Sequence, residues 1–343
     1  MDKLCRGFLV VWSLGVSRPR LPLPADLLET VRGQDGLVST AQCVAAGVSR
    51  QRVGRLVAGG ALVRRRRRVY EVVGALPPPA SDGAAMDRAR LQRAIEGPLA
   101  HGPTAVATGL AALVLAGVQG APRDFAPEVA FLRGSSSSAT TTGVRIRRTP
   151  VGAVMSRHGI RYITPEVALA QVVPEVERWR AVALMDSARS QKILSERQLE
   201  RARASTAGRR GAARTRAWWD ECDPRSESPA ETKARLDCTA AGIPPDVLQL
   251  MIRPGPARVD LAWHLPDGTW LLVEIDGIQW HQDRRDVLRD LTRQNRIVTS
   301  RTLLRRYTGT EAMNGTLVRE VAEILTARGW RPCPDAPAAL VVA

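Results

Sequence analysis

The sequence predicts an α/β protein, α+β overall, in which three folded units follow one another along the chain. Three observations carry this prediction. An Arg-rich segment near the N-terminus combines short helical runs with two β runs, the middle of the chain alternates helical and β segments, and a hairpin of apolar strands lies near the C-terminus. With 343 residues, the chain is long enough for two or three domains that each bury a core.

Changes in composition set the predicted divisions between these units. The Pro-rich stretch "ALPPPASDG" follows the first unit, and the basic run "RARASTAGRRGAARTRAWWDECDPRSES" follows the second. We therefore predict an N-terminal extension (1–24), a winged helix-turn-helix (25–76), a mixed α/β middle domain (84–207), a basic linker (208–225), a C-terminal domain (226–330) and a tail (331–343).

The charge balance indicates the class of partner. Lysine and arginine number 50 against 34 aspartate and glutamate residues, which gives a net charge of +16. Such a surface favours a polyanion, most simply nucleic acid, because the neutralisation of phosphates releases counterions. Arginine-rich codon usage in a high-GC genome is the competing explanation for the excess, although it does not explain the clusters of arginine.

Cysteine usage and hydropathy bound the compartment. The five cysteines are scattered without any C-x-x-C spacing, which excludes a disulfide framework and a structural zinc site and favours a reducing cytoplasm. The run "TAVATGLAALVLAGVQG" is too short and too weakly apolar for a membrane span. We expect it to form a buried helix of a soluble protein that has no membrane partner.

The first unit has the pattern of a helix-turn-helix with a wing. "ADLLETVRGQDG" and "STAQCVAAG" are typical of helices that end at glycine, and Ser49 is placed to cap a third helix. In that helix Val53 is expected to face the core, whereas Arg50, Arg52 and Arg55 face outward. The stretch "ALVRRRRRVYEVVG" then supplies two β runs around a basic centre, which is a plausible wing.

This first unit resembles the N-terminal winged helix of the AbiEi-type antitoxin family. The resemblance implies that the third helix enters the major groove of DNA and that the wing lies on the backbone. The residues that it places against DNA are Ser49, Arg50, Arg52 and Arg55 of the helix and Arg64, Arg65, Arg66, Arg67 and Arg68 of the wing. The family usually has Gly at the wing tip, where this chain has only Arg. The alternative is a solvated arginine run on a domain that only mediates protein contacts.

The middle unit carries no catalytic pattern. "PEVAFLRG", "GVRIRRT" and "GIRYITP" are predicted as strands, and "PEVALAQVVPEVERWRAVALMDSARS" is predicted as helical. This layout resembles the central part of AbiEi-related proteins, which implies a scaffold or a partner surface.

An acidic hairpin marks the C-terminal unit. Pro266-Asp267-Gly268 is a turn signal between the β runs "ARVDLAWHL" and "TWLLVEID". A three-residue loop places Asp260 opposite Glu274, and strand periodicity places Asp276 on the same face as Glu274. Like charges this close repel, so a divalent cation, Mg²⁺ or Mn²⁺, is expected among them. The alternative is that an acid pairs with a nearby arginine.

Other residues outside the hairpin could belong to the same site. Ser228 to Glu231 has the pattern of a capping box, so Glu231 is either a cap or a fourth acid of the metal site. His281 follows the second strand closely, where a base of near-neutral pKa could take a proton from a water on the metal. Asp290 and Arg293 share one face of the helix that follows.

The pattern "SPAE … ARVDLAW … LLVEIDG … H … D … R" resembles Vsr-like, PD-(D/E)xK-related nucleases, often fused behind AbiEi-type winged helices. The resemblance covers about a hundred residues and implies a restriction-endonuclease-like sheet flanked by helices. It makes Glu231, Asp260 and Glu274 the acidic metal site and adds Asp276, His281, Asp290 and Arg293 as catalytic residues of the same cleft. Asp276 stands where many such nucleases have Lys, so His281 or a second metal would have to take over that role.

Two functions of different classes follow. The first is a Mg²⁺-dependent endonuclease that hydrolyses phosphodiester bonds of DNA and is guided by the winged helix. The second is an antitoxin-like, DNA-binding transcriptional regulator whose nuclease-like domain is inactive and whose partner is a toxin or another protein. A neighbouring gene for a nucleotidyltransferase-like toxin would favour the regulator. The residues leave RNA open as a substrate.

Overall fold

Helices and strands alternate in a computed structural model that describes residues 23–132, 143–253, 257–276 and 301–341. Within these residues the strands form three sheets, one in each predicted unit. The α+β class predicted from the sequence is therefore confirmed. No described helix combines the length and the apolar character needed to cross a membrane.

The first unit folds as its capping residues predict. Its elements are α1 (Ala25–Gly33), β1 (Leu37–Ser39), α2 (Thr40–Ala45), α3 (Arg50–Ala58), β2 (Leu62–Arg66) and β3 (Val69–Val72). The strands pair antiparallel in the order β1-β3-β2. Ser39 forms a capping box with Gln42 at the start of α2, and Gly47, with φ 78°, follows that helix. A separate apolar core holds these helices against the small sheet.

The middle unit is built around a five-stranded sheet of order β6-β5-β4-β8-β7. Its elements are α4 (Asp82–His101), β4 (Ala105–Ala107), α5 (Gly109–Leu115), β5 (Glu128–Phe131), β6 (Arg145–Ile146), β7 (Val154–Arg157), β8 (Ile160–Ile163), α6 (Pro165–Val172), a 3-10 turn (Val173–Glu175), α7 (Arg178–Ser190) and α8 (Glu196–Thr206). All three predicted strands are present. The run expected to be one buried helix instead forms β4 and the wholly buried α5.

The basic segment 208–225 folds onto the middle unit. Residues Ala213–Trp219 form a 3-10 helix. The Trp219 side chain is 5% exposed and belongs to the same apolar core as the helices of the middle unit. The segment predicted as a linker is thus a packed part of this unit, because its tryptophan buries a large apolar surface.

The C-terminal unit is a five-stranded sheet with helices. It contains α9 (Pro229–Ala240), β9 (Val247–Arg253), β10 (Ala257–His264), β11 (Trp270–Asp276), β12 (Thr302–Thr308), α10 (Gly309–Met313), α11 (Thr316–Ala327) and β13 (Ala339–Val341). The strand order is β12-β11-β10-β9-β13, and an apolar cluster lies on each face. The predicted tail, 331–343, therefore supplies an edge strand, because β13 pairs with β9 in parallel.

Helix α9 joins the middle and C-terminal units. Leu236 belongs to the core of the middle unit, whereas Cys238 of the same helix belongs to the C-terminal core. Beside them, the Asp186 carboxylate is 1% exposed and accepts hydrogen bonds from the Arg235 guanidinium at 2.9 Å and the Thr232 hydroxyl at 2.8 Å. Burial raises the pKa of Asp186 to about 6, although Arg235 acts in the opposite direction. A buried ion pair thus ties α9, and the acids at its start, to α7.

Candidate functional site

Helix α3 presents three arginines to solvent. The Ser49 hydroxyl caps the helix by accepting from the Arg52 amide at 3.2 Å, and the first turn contains no acidic residue. Val53 is 3% exposed and anchors the inner face. The helix N-terminus and the exposed cations Arg50, Arg52 and Arg55 therefore make one positive surface.

The wing is a tight turn between β2 and β3. Arg64 lies over the ring of Tyr70, with its guanidinium carbon 5.7 Å from the ring centroid, and Arg67 and Arg68 are exposed at the tip. Arg68 has φ 66°, in the left-handed region that favours glycine. The wing tip thus holds an arginine in a backbone conformation that glycine adopts at lower cost.

Two of the five wing arginines point toward the middle unit. Arg66 donates to the Glu96 carboxylate at 2.5 Å, and the Arg65 guanidinium lies 3.5 Å from the same carboxylate. Glu96 is 2% exposed and lies on α4. These pairs fix the wing against α4, so the surface that remains for a polyanion is formed by Arg64, Arg67 and Arg68.

The left-handed backbone at the wing tip gives a testable prediction. Arg68→Gly should raise the melting temperature of the full chain, because a non-glycine residue in this conformation costs roughly 1 kcal/mol. The same substitution should make the salt dependence of DNA binding shallower by about one phosphate contact. Differential scanning fluorimetry and anisotropy titrations measure the two effects.

Arg67→Gly is the matched control, since Arg67 is the neighbouring tip arginine and is not among the described residues with positive φ. It should give no thermal gain, because glycine there only adds freedom to the unfolded chain. A lower melting temperature for Arg68→Gly than for the unmodified protein would contradict the assigned strain.

A polar row crosses four neighbouring strands of the C-terminal sheet. Leu265 donates its amide to the Thr269 carbonyl at 2.8 Å, which confirms the three-residue hairpin loop. The β10–β11 register ends with Leu261 opposite Val273, and Asp260 follows as the next residue outward, with its side chain accepting from the Ile275 amide. Gln249 of β9 lies between two residues that pair with β10, and its side-chain amide is 3.4 Å from the Asp260 carboxylate. Arg306 of β12 is the parallel partner of Glu274.

Glu231 reaches this row from the start of α9. The Ser228 hydroxyl accepts from the Glu231 amide at 3.2 Å, which is half of a capping box. The Glu231 carboxylate instead accepts from the Glu227 amide and from the Gln249 side-chain amide, both at 2.9 Å. Capping alone therefore does not account for Glu231, because its carboxylate also bonds to the sheet.

The Asp260 carboxylate lies close enough to Glu231 to perturb its pKa. Burial, followed by the charge of Asp260, raises the pKa of Glu231 to about 7. The Asp260 carboxylate accepts from the Ile275 amide at 2.7 Å and from Gln249 at 3.4 Å. Gln249 thus bridges two acids that repel each other.

The other two acids face an arginine. Nη2 of Arg306 lies 2.7 Å from an oxygen of Asp276, and Nε of Arg306 lies 3.6 Å from an oxygen of Glu274. The sequence predicted three carboxylates, Asp260, Glu274 and Asp276, on one patch. The structure divides the acids into two pairs, and among the described residues no three Asp, Glu, His or Cys side chains are grouped so as to hold a metal ion.

Sequence reasoning missed Gln249, and it left open a pair between an acid and a nearby arginine without naming Arg306, which contacts Asp276. A count along the parallel strand would have found Arg306, had the pairing of β11 with β12 been known. In the sequence, Leu248, Leu250 and Ile252 occupy every second position, but this apolar pattern is too short to predict strand β9. His281, Asp290 and Arg293 lie outside the described residues, so their roles stay predictions.

Comparison with known proteins bears on the first unit. Residues 26–73 match the family model described as transcriptional regulator, AbiEi antitoxin. A regulator domain of AbiEi antitoxin type is therefore present. The match coincides with α1 to β3, the same elements that carry the exposed arginines.

Two relatives match a longer part of the chain. They are uncharacterized proteins of Mycobacterium tuberculosis, one from each of two strains, and each is 35% identical over 162 residues. The match takes in 44% of this chain and 59% of each relative's length. This chain therefore spans less than two thirds of the length of these relatives.

Proposed function

We propose that this protein binds duplex DNA through its winged helix, with α3 in the major groove and the wing against the phosphate backbone. The supporting observation is that Arg50, Arg52 and Arg55 are all exposed on a helix whose other face is anchored by buried Val53. Arginine in this position can bind both phosphate oxygens and guanine edges. The antitoxin-type domain favours a regulatory role, with a toxin as the protein partner.

The binding proposal is tested by titrating the full chain into a fluorescein-labelled duplex of mixed sequence. Anisotropy measured between about 50 and 200 mM salt should give an affinity that falls steeply, with a slope of roughly −0.9 per phosphate neutralised. An affinity that does not change with salt would contradict a contact made by these arginines. Co-expression with the product of a neighbouring gene, followed by pull-down, tests the toxin partner.

A second candidate function is Mg²⁺- or Mn²⁺-dependent hydrolysis of DNA at the polar row of the C-terminal unit. The observation that favours it is the set of contacts that Gln249 makes with the buried Glu231 and the half-buried Asp260. Two features of these residues fit an oxygen-ligated cation. The pKa of Glu231 is raised by burial beside Asp260, and the side-chain oxygen of Gln249 is buried without a hydrogen-bond partner among the described residues. Carboxylate and amide oxygens are the ligands that such cations prefer.

In this proposal Glu231, Asp260 and Glu274 would hold the cation. When bound, the cation would supply Lewis-acid chemistry, which activates water and offsets the charge that builds on the phosphate. The Arg306 guanidinium would add positive charge beside Asp276, where related nucleases have Lys. His281 would accept or relay a proton, and Arg293 would contact an acid or a phosphate oxygen.

Incubation of end-labelled DNA with the full chain and either Mg²⁺ or Mn²⁺, followed by a denaturing gel, tests this second function. Strand scission that EDTA abolishes is the expected result. Binding without scission under either metal would instead support a regulator whose nuclease-like unit is inactive. The same assay with labelled RNA distinguishes the two classes of nucleic acid.

A further inference from the structure

We infer that Gln249 is a further residue of the cation site, whose side-chain amide donates to the acids in the metal-free protein and offers its oxygen when a divalent cation binds. This inference rests on the second proposed function. It concerns a residue that neither the sequence patterns nor the family resemblance singled out.

The backbone at Gln249 departs from regular strand geometry. Its φ is 55°, within β9, which is in the left-handed region that a glutamine adopts only under strain. Val247 and Leu250, three residues apart, pack into the same apolar cluster, so the strand's alternation shifts at this point. Such a conformation persists only where the surroundings hold it, and it directs the amide toward α9 and Glu231.

The facing residue shows the same departure. Val259 and Leu261 are two apart in β10, yet they pack into clusters on opposite faces of the sheet. The irregular residue between them is Asp260, whose side chain bonds to the Ile275 amide. Two adjacent strands thus break their alternation at the same facing pair, which brings both polar side chains to the buried Glu231.

Only the NH₂ group of the Gln249 amide has hydrogen-bond partners among the described residues. Its NH₂ donates to Glu231 at 2.9 Å and approaches Asp260 at 3.4 Å, whereas its oxygen is buried without a partner among the described residues. A buried acceptor without a partner destabilises the folded state. A half-turn of the planar amide exchanges NH₂ and oxygen with little change of shape, which would present three oxygens to a cation. The other non-acidic polar side chain of the row, Arg306, carries only hydrogen-bond donors, so it cannot offer an oxygen to a cation.

A merely structural role for Gln249 makes a different prediction. If the amide only ties α9 to the sheet, its loss should lower stability equally with and without metal. If the amide becomes a ligand, its replacement should change the affinity for the metal itself. The two roles are therefore separated by metal binding to the full chain in the absence of DNA.

The experiment measures Mn²⁺ binding by electron paramagnetic resonance in the full chain, with the site defined as the binding event that Asp260→Asn removes. Gln249→Met should weaken this binding by roughly 10–100-fold. Gln249→Glu should tighten it, since it adds a charged oxygen ligand. In EDTA, Gln249→Glu should melt at a lower temperature than the unmodified protein. Addition of Mn²⁺ should remove this difference in melting temperature.

Gln92→Met is the matched control. Gln92 is a buried glutamine remote from the row, whose amide donates to the Asp35 carbonyl at 2.8 Å. This variant should lose stability without any change in Mn²⁺ affinity. Equal affinities for the unmodified protein, Gln249→Met and Gln249→Glu would overturn the role of Gln249 while the cation site stands. An unmodified protein with no Mn²⁺ site that depends on Asp260 would overturn both.

Discussion

Replacement of Arg50, Arg52 and Arg55 together by glutamine should weaken the binding of duplex DNA by roughly a hundredfold or more at physiological salt. Each exposed arginine that contacts phosphate or a base edge contributes at least ~1 kcal/mol, and three such losses multiply in the dissociation constant. The slope of affinity against salt should become shallower by about three phosphate contacts. Helix α3 should still fold, because Val53 and the Ser49 cap are unchanged.

The control must remove the same charge elsewhere. Arg197, Arg210 and Arg319 are exposed and lie outside the winged helix, so their replacement by glutamine also lowers the net charge by three. This second triple variant should keep most of the affinity. Equal loss in both variants would mean that the overall charge of +16, and not the helix, accounts for the binding.

The winged helix could be predicted in detail because its signals are local. Ser39 and Ser49 cap the helices that follow them, and Gly47 takes the positive φ that its position requires. Each of these signals acts within a few residues of the element it limits. The hairpin before β11 was predictable for the same reason, since Pro266 to Gly268 fix a short loop and hence the register.

The arrangement of the acids could not be predicted in the same way. The pairing of Glu274 with Arg306 joins parallel strands, and the long crossover between such strands does not set a register from sequence. The left-handed backbone of Gln249 is not indicated by its residue type, because glutamine rarely adopts it. These two side chains decide which acids face each other, so the sequence showed the acids but not their partners.

Packing over long distances explains the remaining differences. The segment 208–225 looks like a linker in composition, yet Trp219 buries its ring in the core of the middle unit. Strand β13 is three residues long, and its pairing depends on β9, which lies far away in the sequence. Both elements are stabilised by contacts that no local pattern reveals.

Asp260→Asn should reduce metal-dependent cleavage of DNA by about 10³-fold or more, because a lost charged ligand removes several kcal/mol of transition-state stabilisation. Asparagine keeps an oxygen that can accept from the Ile275 amide, so the β10–β11 contact is preserved and only the charge is lost.

The matched control is Asp267→Asn, which changes an exposed aspartate in the loop of the same hairpin and should leave cleavage unchanged. DNA affinity should stay within about twofold in both variants, since the arginines of α3 lie in another unit. Scission that continues at full rate in Asp260→Asn would remove Asp260 from the reaction, and with it the reason for placing a cation at this row.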